Sequence, residues 1–228
     1  MSEISLRDYL AQLDQLAQAG AADEVLWHAR HILQYYPKNV DAYRFIGRAL
    51  VALGRWDEAN ATLRRVLSVL PNDKATHLFL STAYERQKRT KEAIWHLERA
   101  FEQDPSNTIV MGELQRLYRQ YRNIANPRLQ LTTAAVARQN IRSGELDRAI
   151  ETLRASLARS SGRADLRLLL AQTMWNAGMQ VEGAETALDV LDVLPYCLEA
   201  NRILTLLWLS EGRPSDAQRY LNQIQEAE

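Results

Sequence analysis

The sequence predicts an all-α fold of stacked helix-turn-helix units, and three observations predict it. Apolar residues recur at three- and four-residue steps along nearly the whole chain, as one buried stripe per helix requires. The pattern itself recurs with a period of about 34 residues. Glycine and proline recur at fixed places within that period, where helices must stop. No stretch sustains the period-two alternation of a half-buried strand, so no strands are expected.

The stretch Val40–Asp73 is the most regular copy. Its first half sets Tyr43, Ile46, Gly47, Leu50 and Leu53 on one face, and Trp56–Leu70 does the same with Ala59, Leu63, Val66, Leu67 and Leu70. Gly54 stands where the first helix ends, since glycine accepts the left-handed conformation found there. Pro71 follows the second helix because proline cannot continue one, and Asn72 and Asp73 offer capping oxygens to the next. Frames of one period begin at Leu6, Val40, Lys74 and Thr108, and again at Gln130, Ala164 and Leu198. Position 32 is Pro37, Pro71 and Pro105 in the first three units; position 15 is Gly144, Gly178 and Gly212 in the last three. Position 20 is Val25, Ala59 and Ala93, then Ala149, Gly183 and Ala217.

The frame breaks once. The step from Thr108 to Gln130 is shorter than one period, so the unit that begins at Thr108 is truncated. Thr108–Tyr121 reads as a first helix with no second helix of its own. The turn-rich run Arg122–Pro127 follows, then an expected helix Arg128–Arg142 with Pro127 in its first turn. The expected division is residues 1–121, an irregular joint at 122–129, and residues 130–228. The two arrays are expected to form one continuous solenoid, because so short a linker leaves neither room to stand apart. Smaller departures are Leu13 at position 8 of the first unit, Ser161-Gly162 in place of a proline, and Pro214 near the start of the last helix. For the last unit three readings stay open: Leu221 and Ile224 partly exposed, a chain that continues, or pairing with another copy.

These units resemble tetratricopeptide repeats. The family pattern has a bulky residue at position 4, Leu at 7, a small residue at 8, Tyr at 11, Ala at 20, an aromatic or Leu at 24, a small residue at 27 and Pro at 32. The second unit supplies Tyr43, Ile46, Gly47, Leu50, Ala59, Leu63, Val66 and Pro71; the third supplies His77, Leu80, Ser81, Tyr84, Ala93, Leu97, Ala100 and Pro105. Small residues at 8 and 20 let paired helices approach at the short end of the usual 8–10 Å range. The resemblance implies a right-handed superhelical solenoid whose first helices line a concave groove for peptides or partner helices.

Composition narrows the functional classes. Lys plus Arg equals Asp plus Glu at 28 each, so no global charge draws the chain to nucleic acid. The balance is uneven locally: Arg116–Arg167 holds 11 Arg and no Lys against four acids, whereas the stretch from Met174 onward holds three Arg against nine acids. One cysteine, Cys197, excludes an internal disulfide framework and favours a reducing compartment. No secretory signal is recognisable, and no apolar run reaches the roughly 18 residues of a membrane helix. A soluble cytoplasmic protein is expected, without membrane insertion or nucleic-acid binding.

Catalytic constellations are missing from the sequence: there is no phosphate-binding glycine loop, no HExxH and no cysteine pair at ligand spacing. His28 and His31 are one helical turn apart, with Asp23 and Glu24 as distant third ligands, and read as partly exposed helix residues rather than a metal site. His77 and His96 are accounted for by packing or surface placement. The expectation is a non-catalytic protein with no cofactor.

Placed on the repeat frame, positions 2, 5, 9 and 12 of the first helices make the groove basic. Arg44, Arg48, Arg116, Arg119 and Arg138 lie there, with Arg86 and Arg142 beside them at position 13. Arginine binds carboxylates bidentately, so an acidic peptide suits this groove. Trp175, at position 12, is not required by repeat packing and offers an aromatic anchor. The opposing reading pairs these arginines with Glu85, Glu113 and neighbouring acids. The carboxylate clamp of chaperone-binding family members is not reproduced, since Phe79, Ile109 and Glu113 occupy its later positions. Two other readings are self-assembly, the acidic end of one copy meeting the basic middle of another, and a regulatory or targeting arm of a larger multidomain enzyme.

Overall fold

A computed structural model describes residues 5–121 and 127–228. Among these are thirteen α-helices and no strand, an all-α superhelical repeat fold. The first seven are α1 (Leu6–Gln18), α2 (Ala22–Tyr35), α3 (Val40–Ala52), α4 (Trp56–Val69), α5 (Lys74–Arg86), α6 (Thr90–Gln103) and α7 (Thr108–Tyr121). The rest are α8 (Thr133–Arg142), α9 (Leu146–Arg159), α10 (Ala164–Asn176), α11 (Gln180–Val193), α12 (Leu198–Ser210) and α13 (Pro214–Ala227).

Local chemistry sets the helix ends. Asn39 accepts the Ala42 amide at 2.8 Å and Asp73 accepts the Thr76 amide at 2.9 Å, each capping a first helix. Position 15 carries a positive φ in six units, as Gly20, Gly54, Lys88, Gly144, Gly178 and Gly212, so the chain turns between paired helices the same way each time. Lys88, at φ +62°, is the non-glycine member of that set.

Packing follows the small residues. A Cβ added at Gly47 would lie 2.3 Å from Leu63 Cδ2, and one at Gly183 would lie 3.0 Å from the Trp175 backbone nitrogen. Positions 8 and 20 are therefore the close-approach points of the paired helices. Leu13, in the first unit, is fully buried despite its size. Leu221 and Ile224 are half-buried.

The short unit departs from the expected helix boundaries. The helix does not begin at Arg128 and Pro127 is not in its first turn. It begins at Thr133, with the Thr132 hydroxyl accepting the Ala135 amide at 3.2 Å. Residues 127–132 run without helix. Pro127 is buried, its carbonyl accepts from Gln115 Nε2 at 3.5 Å, and Leu129 packs into the core around α7. This extended segment covers apolar surface that a second helix covers in the regular units. Residues 122–126, the centre of the expected joint, lie outside the described residues.

Among the described residues three apolar clusters result. One runs through α1–α7, a second through α8–α10, and a third through α10–α13. The helices α8–α13 also return against α1–α7: α8 packs on α6, the loop after α4 and the last residue of α6 meet α8 and α10, and the loop after α2 meets the residue that follows α13. No helix among the described residues is long and apolar enough to cross a membrane.

Candidate functional site

Side chains at positions 5 and 9 of a first helix lie on one face, a turn apart. On α3 these are Arg44 and Arg48, and both border a cavity of about 420 Å³ between α1, α3 and α5. Leu10, Phe45 and Phe79 supply its apolar wall, and Asp14 and Asp41 join the arginines on its polar side. Arg44 Nη1 donates to Asp41 at 2.6 Å; its Nε is buried and makes no hydrogen bond, although Asp73 Oδ2 lies 3.4 Å away. Arg48 donates to the Ala17 carbonyl at 2.9 Å and faces Asp14 at 3.4 Å.

The same face continues through α5 and α7 as a cavity of about 240 Å³ lined by Leu78, Thr82, Glu85, Ile109 and Glu113. Arg116 bonds Glu113 and, at 2.7 Å, Glu85. These two carboxylates, Glu113 first, push its pKa above the ordinary arginine value. Arg86 and Arg119 are exposed at the last turns of α5 and α7. The arginines of this face are thus interleaved with carboxylates. An acidic ligand would exchange one carboxylate partner for another rather than neutralise a bare cationic strip.

Two of the expected groove arginines go elsewhere. Arg138 Nη2 donates to Asn72 Oδ1 at 2.7 Å, and Arg142 donates to the Gln103 carbonyl at 2.7 Å. Burial lowers the Arg138 pKa, against the pull of Asp165 and Glu102. Trp175 is half-buried beside the α10–α13 core and borders a separate cavity of about 400 Å³ with Ile141, Gln172, Arg202 and Leu206.

Around Arg138 lies a buried ionic network that the repeat frame does not announce. Glu102 accepts two bonds from Arg99, both 2.9 Å, and one from Arg163 at 2.7 Å. Arg163 also grips Asp165 with two bonds of 2.7 Å. Burial raises the Asp165 pKa, but the Arg163 guanidinium outweighs it and leaves the carboxyl below its ordinary value. The spacing of Arg99 and Glu102, three residues apart, is visible in the sequence as a helical pair; Arg163 comes from 61 residues away and carries no sequence signal.

Beside this network His77 and His96 bring their Nδ1 atoms to 2.9 Å. His77 Nε2 lies 3.2 Å from the Pro71 carbonyl, which can only accept, so Nε2 carries the proton. The neutral His77 Nδ1 is then the acceptor and His96 Nδ1 the donor. Burial lowers both pKa values, that of His96 to about 3 with help from His77 and nearby arginines. His28 Nδ1 is 2.7 Å from the Tyr9 hydroxyl, and His31 stacks on Trp27. Among the described residues no three His, Cys, Asp or Glu side chains converge as a metal site. Cys197 is buried, and desolvation pushes its thiol pKa up to about 11.

Residues 16–81 match the family model described as Tetratricopeptide repeat. No curated protein sequence matches the chain. Among solved structures, MamA is similar at 20% identity over 79% of this chain and 93% of that one, with a TM-score of 0.37. The P58(IPK) TPR domain is 12% identical over 96% of this chain and 60% of that one, at a TM-score of 0.42. A chain of the APC/C Cut9-Hcn1 hetero-tetramer is 12% identical over 96% and 46%, at 0.41.

Proposed function

We propose that this chain, a tetratricopeptide-repeat protein, is a non-catalytic interaction scaffold whose α1, α3, α5 and α7 face takes an acidic peptide or partner helix. The cavity beside Arg44 and Arg48 carries the reading. It joins an apolar wall of Leu10, Phe45 and Phe79 to two guanidiniums, one of which has a buried N–H without a hydrogen bond. Such a site suits a ligand with an apolar anchor next to a carboxylate. The anchor removes apolar surface from water, and the carboxylate takes the place of an acidic side chain at the guanidiniums. Arg86, Arg116 and Arg119 extend the face, and Trp175 borders a second cavity farther along the chain.

The test is capture of partners from lysate by the wild type and by the variant Arg44→Glu/Arg48→Glu/Arg116→Glu/Arg119→Glu. Loss of the captured proteins, with helicity retained, is expected. An unchanged set would rule out this face. Light scattering that shows mass rising with concentration would instead favour self-assembly.

A further inference from the structure

The contacts between α1–α7 and α8–α13 differ in kind from those within either group. Each apolar cluster stays on one side of the division among the described residues. The hydrogen bonds and ion pairs that cross it join polar groups outside those clusters. Lys38 pairs with Glu226 and lies 5.2 Å from the Tyr196 ring, while Asn39 donates to the Glu228 carbonyl. Asn72 accepts from Arg138 and donates to the Asp165 carbonyl at 3.2 Å. Glu102 meets Arg163, and the Gln103 carbonyl meets Arg142. From Lys38–Glu226 through Asn72–Asp165 and Glu102–Arg163 to Gln103–Arg142 the contacts run in opposite chain order on the two sides, with Asn72–Arg138 as the exception, so α8–α13 double back along α1–α7.

The seam is also imperfectly filled. A cavity of about 320 Å³ opens in it between Val40, Tyr43 and Arg65 on one side and Tyr196 and Gln223 on the other. Two buried polar atoms with no hydrogen bond, Arg138 Nε and Gln223 Oε1, lie along it. Polar groups buried without a partner disfavour the closed form, because water satisfies them once they are exposed. An interface that no apolar cluster spans has less of the term that makes repeat-to-repeat stacking cooperative.

We infer that α1–α7 and α8–α13 are two arms held together by a polar latch, centred on Glu102–Arg163 and Asn72–Arg138, which opens while both arms stay folded. Closure places Arg138 and Arg163 inside the chain; opening presents them, with Arg99, to solvent or to an acidic partner. Opening also hydrates the two unsatisfied atoms and breaks no apolar cluster.

The experiment measures the separation of spin labels at Ala61→Cys and Glu185→Cys, both exposed and one on each arm. Buried Cys197 is shielded from labelling in the folded chain. In otherwise wild-type protein, urea is expected to lengthen the distance before far-ultraviolet circular dichroism records loss of helix. Coincident transitions would overturn the latch. The variant Arg163→Met leaves Glu102 and Asp165 without their shared partner and is expected to populate long distances without urea, with helicity unchanged. Arg55→Ala, which breaks an ion pair at the start of α4, is expected to keep the short distance. A folded Arg163→Met chain with wild-type distances would also refute the proposal. If that variant fails to fold, the urea series on the labelled wild type decides.

Discussion

Arg163 Nη2 lies 2.7 Å from Glu102 Oε2, joining the loop before α10 to the last turn of α6 across 61 residues of sequence. Both side chains are nearly inaccessible, at 13% and 3% exposure. An ion pair in such surroundings is expensive to break from one side, because the remaining charge keeps its desolvation cost and loses its partner. The variant Glu102→Gln should therefore cost about 3 kcal/mol or more, since it weakens the hold on both Arg99 and Arg163. Arg116, with its side chain 41% exposed, should tolerate Arg116→Ala with a loss below about 1 kcal/mol. Urea denaturation of both variants measures the contrast; equal losses would contradict the burial argument.

The histidine pair makes stability fall with acid in a defined window. His77 and His96 stay neutral in the folded chain because burial lowers their pKa values, His96 to about 3. In the unfolded chain each titrates near its ordinary value of about 6.5. Below that pH the unfolded state binds more protons, so stability decreases as pH falls. The slope approaches about 1.4 kcal/mol per pH unit for each histidine left unprotonated in the fold. Urea midpoints at pH 7, 6 and 5 test this, and His96→Gln should flatten the dependence.

Gly47 is a close-approach point between α3 and α4. Its missing side chain leaves room for Leu63, which is fully buried and has nowhere to retreat. Gly47→Ala gains up to about 1 kcal/mol of helix propensity, whereas overpacking costs about 1–3 kcal/mol. A net loss of about 1 kcal/mol in thermal or urea unfolding is expected. A stabilised variant would show that the helices can move apart freely.

Lys88 holds the backbone conformation that glycine holds in the equivalent turn of five other units. A side chain in the left-handed region costs about 1–2 kcal/mol, partly regained because glycine is freer in the unfolded chain. Lys88→Gly should raise the stability by up to about 1 kcal/mol. Comparison with Lys88→Ala, which keeps the Cβ and should bring no gain, separates backbone relief from loss of the lysine charge.

The buried thiol offers a local clock. Burial of Cys197, with its pKa up at about 11, makes its reaction with an alkylating reagent at neutral pH depend on opening of the α10–α13 core. Alkylation followed by mass should accelerate in parallel with loss of helix. Rapid modification of the native chain would place the cysteine outside that core.

The repeat is legible in the order of residues alone. Helical periodicity, the glycine at position 15 and small residues at positions 8 and 20 all act within one unit or between adjacent units, and every regular helix appears where they require it. The start of α8 is the exception: Pro127 suits a first helical turn, but the Thr132 cap and the burial of Pro127 against α7 set the boundary instead. The arginines of α3 and α7 are legible as members of one face by spacing alone. Which charges meet depends instead on how the helices pack in three dimensions. Spacing assigns Arg138 and Arg142 to the same groove, yet they turn to Asn72 and Gln103, and Arg99, Glu102, Arg163 and Asp165 form a network with no period. Side-chain periodicity reports which way a residue faces on its own helix. The return of α8–α13 onto α1–α7 brings together residues far apart in the chain, and such contacts leave no repeating mark in the sequence.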